Sequence, residues 1–151
     1  NGVYIKGPGS NFFQVDVTPA ATRLASHYDQ VVFFNTQTST FNSIQVKNVY
    51  NYSDAKAKEN IQSLSQSLSI LKLLRPVSYN FTDNSDNTKF RKGGDGKEIG
   101  LLAQEVEQVL PNIVLTDPDG NKLINYTSLI AVLIDAVKDL NEKVSALEAQ
   151  Q

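Results

Sequence analysis

The sequence predicts a mixed α+β fold in two parts, a β-rich segment over residues 1–52 and a segment of helices and strands over 53–151. Three observations carry this prediction. Short apolar runs broken by Gly, Pro, Asn, Ser and Thr, typical of strands and turns, fill the first part. An apolar repeat of three and four residues, the spacing of one helix face, follows Asp54. A longer repeat of the same kind occupies the C-terminal end.

Residues 1–52 are expected to form short strands. Their apolar runs lie at 3–5, 12–17, 30–34 and 43–46. Because so small a segment can hardly bury a core of its own, we expect its strands to pair with other copies of the chain. A self-contained fragment of a β-sandwich is the alternative.

Asp54 is predicted to cap a helix that runs from about residue 54 to 74. Aspartate is a preferred N-cap residue because its carboxylate accepts hydrogen bonds from free N–H groups of the first turn. Pro76 then stops the helix, since proline lacks the N–H donor and clashes with the preceding turn. The apolar face of this predicted helix is formed by Ala57, Ile61, Leu64, Leu68 and Leu71.

Ser53 and Lys58 flank the start of this helix, at the two positions that touch in a hydrophobic staple. A serine hydroxyl becomes a nucleophile when a neutral lysine amine takes its proton. The helix dipole disfavours an ammonium there, and the N–H groups of the first turn would stabilise an oxyanion. The nearest carbonyl is that of Tyr52, which makes Tyr52–Ser53 the predicted scissile bond. Taken alone, the spacing favours a simpler interpretation, an ordinary helix start with a solvated lysine.

Strands, a loop and a short helix are predicted between the two helical repeats. A strand over 77–81 precedes a polar loop, 82–96, whose Asp and Gly residues do not have the spacing of a calcium-binding EF-hand loop. A short helix is expected to end at Val109. A hairpin with its turn at 117–120 then joins two short apolar runs.

The last helix carries a heptad repeat that predicts association. Its a positions are all β-branched and its d positions are all leucine, a choice that by itself favours a parallel dimer. A helix that merely packs on its own domain is the alternative, because the same stripe would serve as a core face. The predicted seam is Ile130, Leu133, Val137, Leu140, Val144 and Leu147.

Composition excludes several functional classes. The chain has 151 residues, 40% of them hydrophobic, and a formal charge of −2, so neither nucleic acid nor an acidic membrane is an expected partner. It has no cysteine, which excludes disulfides and thiol catalysis, and its single histidine, His27, cannot form a multi-histidine metal site. Neither a membrane span nor a signal peptide is predicted. Because the chain begins at asparagine and has no methionine, we expect it to be a fragment.

Five blocks in the second part together resemble a known family. They are Ser-Asp-x-Lys-x-Lys at 53–58, Pro-Val-x-Tyr at 76–79, Gly-x-x-Ala-Gln-Glu-Val at 100–106, a tyrosine at 126 and Ala-Val-Lys at 136–138 of the last helix. In this order and spacing they resemble the intramolecular chaperone domain of phage tailspikes and tail fibres, the endosialidase-type peptidase S74 family. The family often has arginine where this chain has Lys56.

The resemblance implies a domain that drives its parent chain to form an intertwined homotrimer and then releases itself by autoproteolysis. Ser53 would be the nucleophile, Lys58 the general base and Tyr52–Ser53 the bond that is cut, with Asp54 as cap and Gln104 as a supporting residue. No cofactor or metal is implied. The partners would be two further copies and the N-terminal fibre chain, for which residues 1–52 would form the end of the shaft. The setting would be a virion tail fibre or tailspike, with the chaperone part released in the host cytoplasm.

The sequence is also compatible with two other functions. The first is a trimeric structural cap or adhesin tip that is never cut, which would place the protein at a bacterial cell surface. The second is a membrane-released regulator like the myelin regulatory factor relatives, in which cleavage frees a DNA-binding part. Residues 1–52 show no basic patch, which counts against DNA contact there.

Overall fold

The computed structural model describes residues 2–27, 30–37, 40–81 and 97–151. Two compact units are present. One contains the described residues up to Tyr50, and the other contains those from Asn51 onwards. The fold is mixed α+β, as predicted, with small antiparallel sheets first and a region ending in a long helix second. The predicted polar loop, 82–96, lies outside the described residues.

The described residues of the first unit form two antiparallel sheets. Strands β1 (Gly2–Lys6), β2 (Phe12–Val17) and β3 (Thr22–Ser26) form a meander in chain order. Two very short strands, β4 (Phe34–Asn35) and β5 (Thr40–Phe41), form the second sheet. The predicted strand at 43–46 is wrong, since residues 42–46 have no regular structure and are exposed.

The three-stranded sheet has one apolar face that lies open to solvent. Side chains alternate between the faces of a strand, and the register sets Val3 beside Val15 and Ile5 beside Phe13. Leu24 on β3 is paired with Val15 across the other edge of β2, so it lies on the same face of the sheet. Val3, Ile5 and Leu24 are all more than half exposed. An apolar sheet face of this kind is stabilised when another layer covers it.

The described residues of the second unit form three α-helices and two antiparallel strand pairs. Helix α1 (Ser67–Leu71) is followed by β6 (Val77–Tyr79), which pairs antiparallel with β7 (Glu98–Gly100). Helix α2 (Ala103–Val109) leads to the hairpin of β8 (Val114–Thr116) and β9 (Lys122–Ile124). Helix α3 (Leu129–Glu148) ends the chain. Among the residues of this unit that the structure describes, the buried side chains are Ser67, Ala103, Val106, Leu129, Val132 and Ala136.

The predicted helix over 54–74 is wrong in extent. A single 3-10 turn, Ala55–Ala57, is followed by irregular chain up to α1. Left-handed residues interrupt this stretch at Asn60 (φ 52°) and Gln66 (φ 62°). Helical stability in proteins comes mainly from packing of an apolar face, and Ile61 is 72% exposed. Without a surface to pack on, the serine-rich stretch before α1 does not hold a helix, because serine competes for backbone hydrogen bonds.

Two ion pairs connect α2 to its neighbours. Arg75, just after α1, is hydrogen-bonded to Glu105, and this hydrogen bond raises the pKa of the guanidinium. Lys122 Nζ on β9 lies 2.8 Å from Glu107 Oε1. The two glutamates lie two apart on α2 and so point in different directions, which lets one short helix hold both a preceding and a following element.

Tyr126 joins the end of β7 to the start of α3. Its hydroxyl accepts a hydrogen bond of 2.9 Å from the N–H of Leu101. A Cβ added at Gly100 would lie only 2.7 Å from this hydroxyl oxygen, so the close approach requires glycine. A 3-10 turn, Tyr126–Ser128, then leads directly into α3.

We expect Gly100→Ala to destabilise the second unit by about 1–3 kcal/mol, the usual cost of overpacking a close contact. The reason is the clash with the Tyr126 hydroxyl, so the cost should be smaller when Tyr126→Phe has removed that oxygen. Urea unfolding of the two single variants and the double variant measures this coupling. Equal costs of Gly100→Ala in both backgrounds would show that the hydroxyl is not what the new methyl group meets.

Candidate active site

Ser53 and Lys58 contact each other directly. Lys58 Nζ donates a hydrogen bond of 2.7 Å to Ser53 Oγ. This distance is within the range at which a base takes the proton of a nucleophile. The same contact serves catalysis when the amine is neutral, because the proton then lies on the serine oxygen and the lysine nitrogen accepts it.

A 3-10 turn brings these two side chains together. Asp54 has an extended backbone (φ −66°, ψ 130°), and its Oδ1 accepts a hydrogen bond of 3.0 Å from the N–H of Lys56. The backbone then closes, with the N–H of Ala57 bonded to the carbonyl of Asp54 at 3.1 Å and the N–H of Lys58 bonded to Ala55 at 3.1 Å. The capping role predicted for Asp54 is therefore present, but on a 3-10 turn rather than an α-helix.

The pair lies in open solvent. Every residue from 51 to 60 is exposed, and Tyr52, which supplies the predicted scissile carbonyl, is 84% exposed. Water therefore reaches Ser53, Lys58 and the Tyr52–Ser53 peptide bond alike. In such surroundings electrostatic stabilisation of a transition state is weak.

The N–H groups of the turn are largely engaged. The donors of Lys56, Ala57 and Lys58 each have an acceptor within the turn itself. The sequence suggested that N–H groups of a first helical turn would stabilise the oxyanion. Since these three are occupied, they are not free to bind that oxyanion in this arrangement.

Gln104, the predicted supporting residue, lies on α2 and not in the turn that carries Ser53 and Lys58. It lies on the exposed side of α2 and lines a groove of about 690 Å³ together with Tyr79, Lys122 and Tyr126. Within the part of the chain that the structure describes, no hydrogen bond joins Gln104 to Ser53 or Lys58. Its supporting role stays a prediction.

Helix α3 presents two apolar faces. One face, which includes Leu129, Val132 and Ala136, is buried, and α3 packs against α1. The sequence did not single out this face, although its spacing of three and four residues is visible beside the heptad. The predicted seam is the second face, and all of its members are exposed: Ile130, Leu133, Val137, Leu140, Val144 and Leu147. The seam is thus additional to the face that α3 uses within its own unit.

Other kinds of site are not indicated in the described segments. Among these residues no helix has both the length and the apolar character needed to cross a membrane. Nor do three or more His, Asp or Glu side chains cluster there in a way that would hold a metal ion.

Comparison with known proteins decides the family. Residues 53–115 match the model of the peptidase S74 family, described as the chaperone of endosialidase. The chain carries a peptidase S74 domain. The match begins at Ser53 itself, the residue that makes the 2.7 Å contact with Lys58.

The S74 chain is also similar to curated phage proteins. It is 32% identical over 124 residues to the long tail fiber protein Gp37 of Enterobacteria phage K3, and it matches the corresponding protein of Enterobacteria phage T2 equally well. Identity to the long tail fiber protein Gp37 of Escherichia phage AR1 is 31% over 108 residues. These matches cover 78%, 78% and 68% of this chain but 9% of each relative, so the chain corresponds to a small part of a tail fibre protein.

Proposed function

We propose that residues 53–151 are the C-terminal intramolecular chaperone of a tail-fibre-like protein and that they release themselves by cutting Tyr52–Ser53. The observation that carries this proposal is the hydrogen bond of 2.7 Å between Lys58 Nζ and Ser53 Oγ, at the first residue of the S74 match. Ser53 is the nucleophile and Lys58 is the general base.

The reaction begins with an attack on the preceding peptide bond. Ser53 Oγ adds to the carbonyl carbon of Tyr52 while its proton passes to neutral Lys58 Nζ. The tetrahedral intermediate then loses the C–N bond, and Lys58 returns the proton to the departing Ser53 nitrogen. Tyr52 is now held by an ester to Ser53 Oγ, and Ser53 carries a free α-amine.

Hydrolysis of this ester completes the cut. Water adds to the ester carbonyl, Lys58 takes one of its protons, and the C–O bond to Ser53 breaks as that proton passes to Oγ. The products are a chain that ends in the Tyr52 carboxylate and a domain that begins with the free amine of Ser53. One water molecule is consumed. Because the bond lies beside its own nucleophile, proximity replaces the binding of a separate substrate.

Assembly provides the control over this chemistry. In the single chain, residues 51–60 are exposed to water and three N–H groups of the turn are engaged, and both features work against reaction. A neighbouring copy that covers this segment would exclude bulk water while leaving room for the one water molecule that hydrolysis needs, favour the neutral amine and supply donors for the oxyanion. Cutting would then occur only after the chains have assembled.

Two exposed apolar surfaces support association of identical chains. One is the α3 seam, and the other is the face of the β1–β3 sheet that includes Val3, Ile5 and Leu24. The a and d residues of the seam alone favour a dimer, but three heptads are too short to fix the number of chains. The trimer is proposed because it suits both the S74 family and a shaft built from residues 1–52. The parent fibre chain would be the other partner, in a virion tail fibre, with the cut domain left in the host cytoplasm.

A joint measurement of assembly and cutting tests the proposal. The chain and its Ser53→Ala variant would each be expressed and examined by light scattering after size exclusion, and then on a denaturing gel. We expect trimers from both, two fragments from the wild type and one intact chain from the variant. Trimers that contain only intact wild-type chains would favour a structural cap, the function to which the open surroundings of Ser53 and Lys58 also point.

A further inference from the structure

The side chain of Asp54 stabilises the turn that carries Ser53 and Lys58, although its hydrogen bond is to neither of these residues. Its Oδ1 accepts a hydrogen bond of 3.0 Å from the N–H of Lys56. This bond closes the first half of the turn that separates Ser53 from Lys58. The second half is closed by the backbone bond of 3.1 Å from Lys58 to Ala55. Asp54 and Lys58 thus lie at the two ends of the turn. Ser53 directly precedes Asp54 in the chain, so the turn sets the distance between Ser53 and Lys58.

We propose that Asp54 is a positioning residue for self-cleavage, which acts by fixing the turn that holds Lys58 Nζ beside Ser53 Oγ. This inference rests on the proposed function. A turn of three residues in an exposed segment has few other contacts to hold it, since residues 51–60 are all exposed. Without the cap, the N–H of Lys56 would bond to water, and the side chain of Lys58 would sample many positions away from Ser53.

The capping contact needs an oxygen acceptor and not a negative charge. Asparagine presents an amide oxygen at the same position as Oδ1 and caps helix starts about as well as aspartate. Serine also caps, with a shorter side chain, whereas alanine has no acceptor. A role through the turn therefore predicts that asparagine retains function and alanine does not. A role through charge, exerted on the lysine, predicts instead that asparagine and alanine behave alike.

The test is the rate of cleavage during timed cell-free synthesis, with samples quenched in denaturant and the cut fraction measured on gels. We expect Asp54→Ala to cut about fivefold to thirtyfold more slowly than wild type, the factor that corresponds to the loss of a cap. Asp54→Asn is expected to stay within about threefold of wild type, and Asp54→Ser to lie between the two. Lys56→Ala is the matched control, because it keeps the backbone N–H that Asp54 binds.

A parallel sample of each variant, taken without denaturant, would be run on size exclusion, and the cleavage rate would be divided by the trimeric fraction, so that a loss of assembly is not counted as slow cutting. Wild-type speed in Asp54→Ala would overturn the proposal, and so would an Asp54→Asn variant as slow as Asp54→Ala. The proposed function fails by a different result, which is cleavage that persists in Ser53→Ala. The two ideas are therefore tested separately.

Discussion

Lys58→Ala is expected to leave the chain uncut while trimers still form. The amine is the base of the proposed reaction, and it lies 2.7 Å from the oxygen whose proton it takes. A positioned general base typically contributes about a hundredfold to ten-thousandfold in rate, so the variant should remain intact on the timescale in which wild type is cut completely. Because Lys58 is exposed, its loss should not disturb folding. Denaturing gels and light scattering measure the two properties on one sample.

Two further variants sharpen this prediction. Lys58→Arg keeps a positive charge near the serine but cannot give up its proton, so it should also stay uncut. Lys56→Ala removes a charge from the same turn without touching Ser53 and should be cut normally. Cleavage at the normal rate in Lys58→Ala would remove Lys58 from the mechanism.

Leu140→Glu is expected to abolish both assembly and cleavage. Leu140 lies at a d position of the seam and is 51% exposed in the single chain. The glutamate charge should therefore have little effect on the stability of an isolated unit. In an assembled seam, however, the same carboxylate would be buried beside its copies without a partner, at a cost of several kcal/mol for each charge. The expected product is an uncut monomer with an unchanged far-UV circular dichroism spectrum.

Ser145→Glu is the matched control for this variant. It adds the same charge to an exposed position of α3 that lies outside the a and d positions of the seam. We expect trimers and complete cutting. Efficient cutting by a Leu140→Glu chain that light scattering proves to be monomeric would show that assembly does not gate the chemistry.

Periodic apolar spacing predicted α3 well and the helix after Asp54 poorly. Such spacing identifies a face that packs, but it does not say whether the surface that covers the face belongs to the same chain. In α3, the buried residues Leu129, Val132 and Ala136 stabilise the helix within one chain, and the seam is an adjacent, exposed face of the same helix. The stretch with Ile61 and Leu64 has no such anchor, and both side chains are exposed.

The Ser53 and Lys58 contact was predicted from spacing, although for a partly different reason. The spacing places the two residues at the staple positions of an α-helix, whereas in the structure they make contact across a 3-10 turn that Asp54 caps. Local hydrogen bonding by a capping residue is visible in sequence and survives the loss of the helix. The close approach of Tyr126 to Gly100 was not predicted, because local sequence patterns do not indicate contacts between residues so far apart in the chain.

The most direct test of self-cleavage is intact-mass spectrometry, under denaturing conditions, of the chain synthesised in water enriched in oxygen-18, beside its Ser53→Ala variant. Serine-dependent cleavage predicts two wild-type fragments that meet at Tyr52–Ser53, with one solvent oxygen in the new Tyr52 carboxylate, and an intact variant. Two intact chains, or the same fragments from both proteins, would contradict the assignment of Ser53 as the nucleophile that cuts this bond.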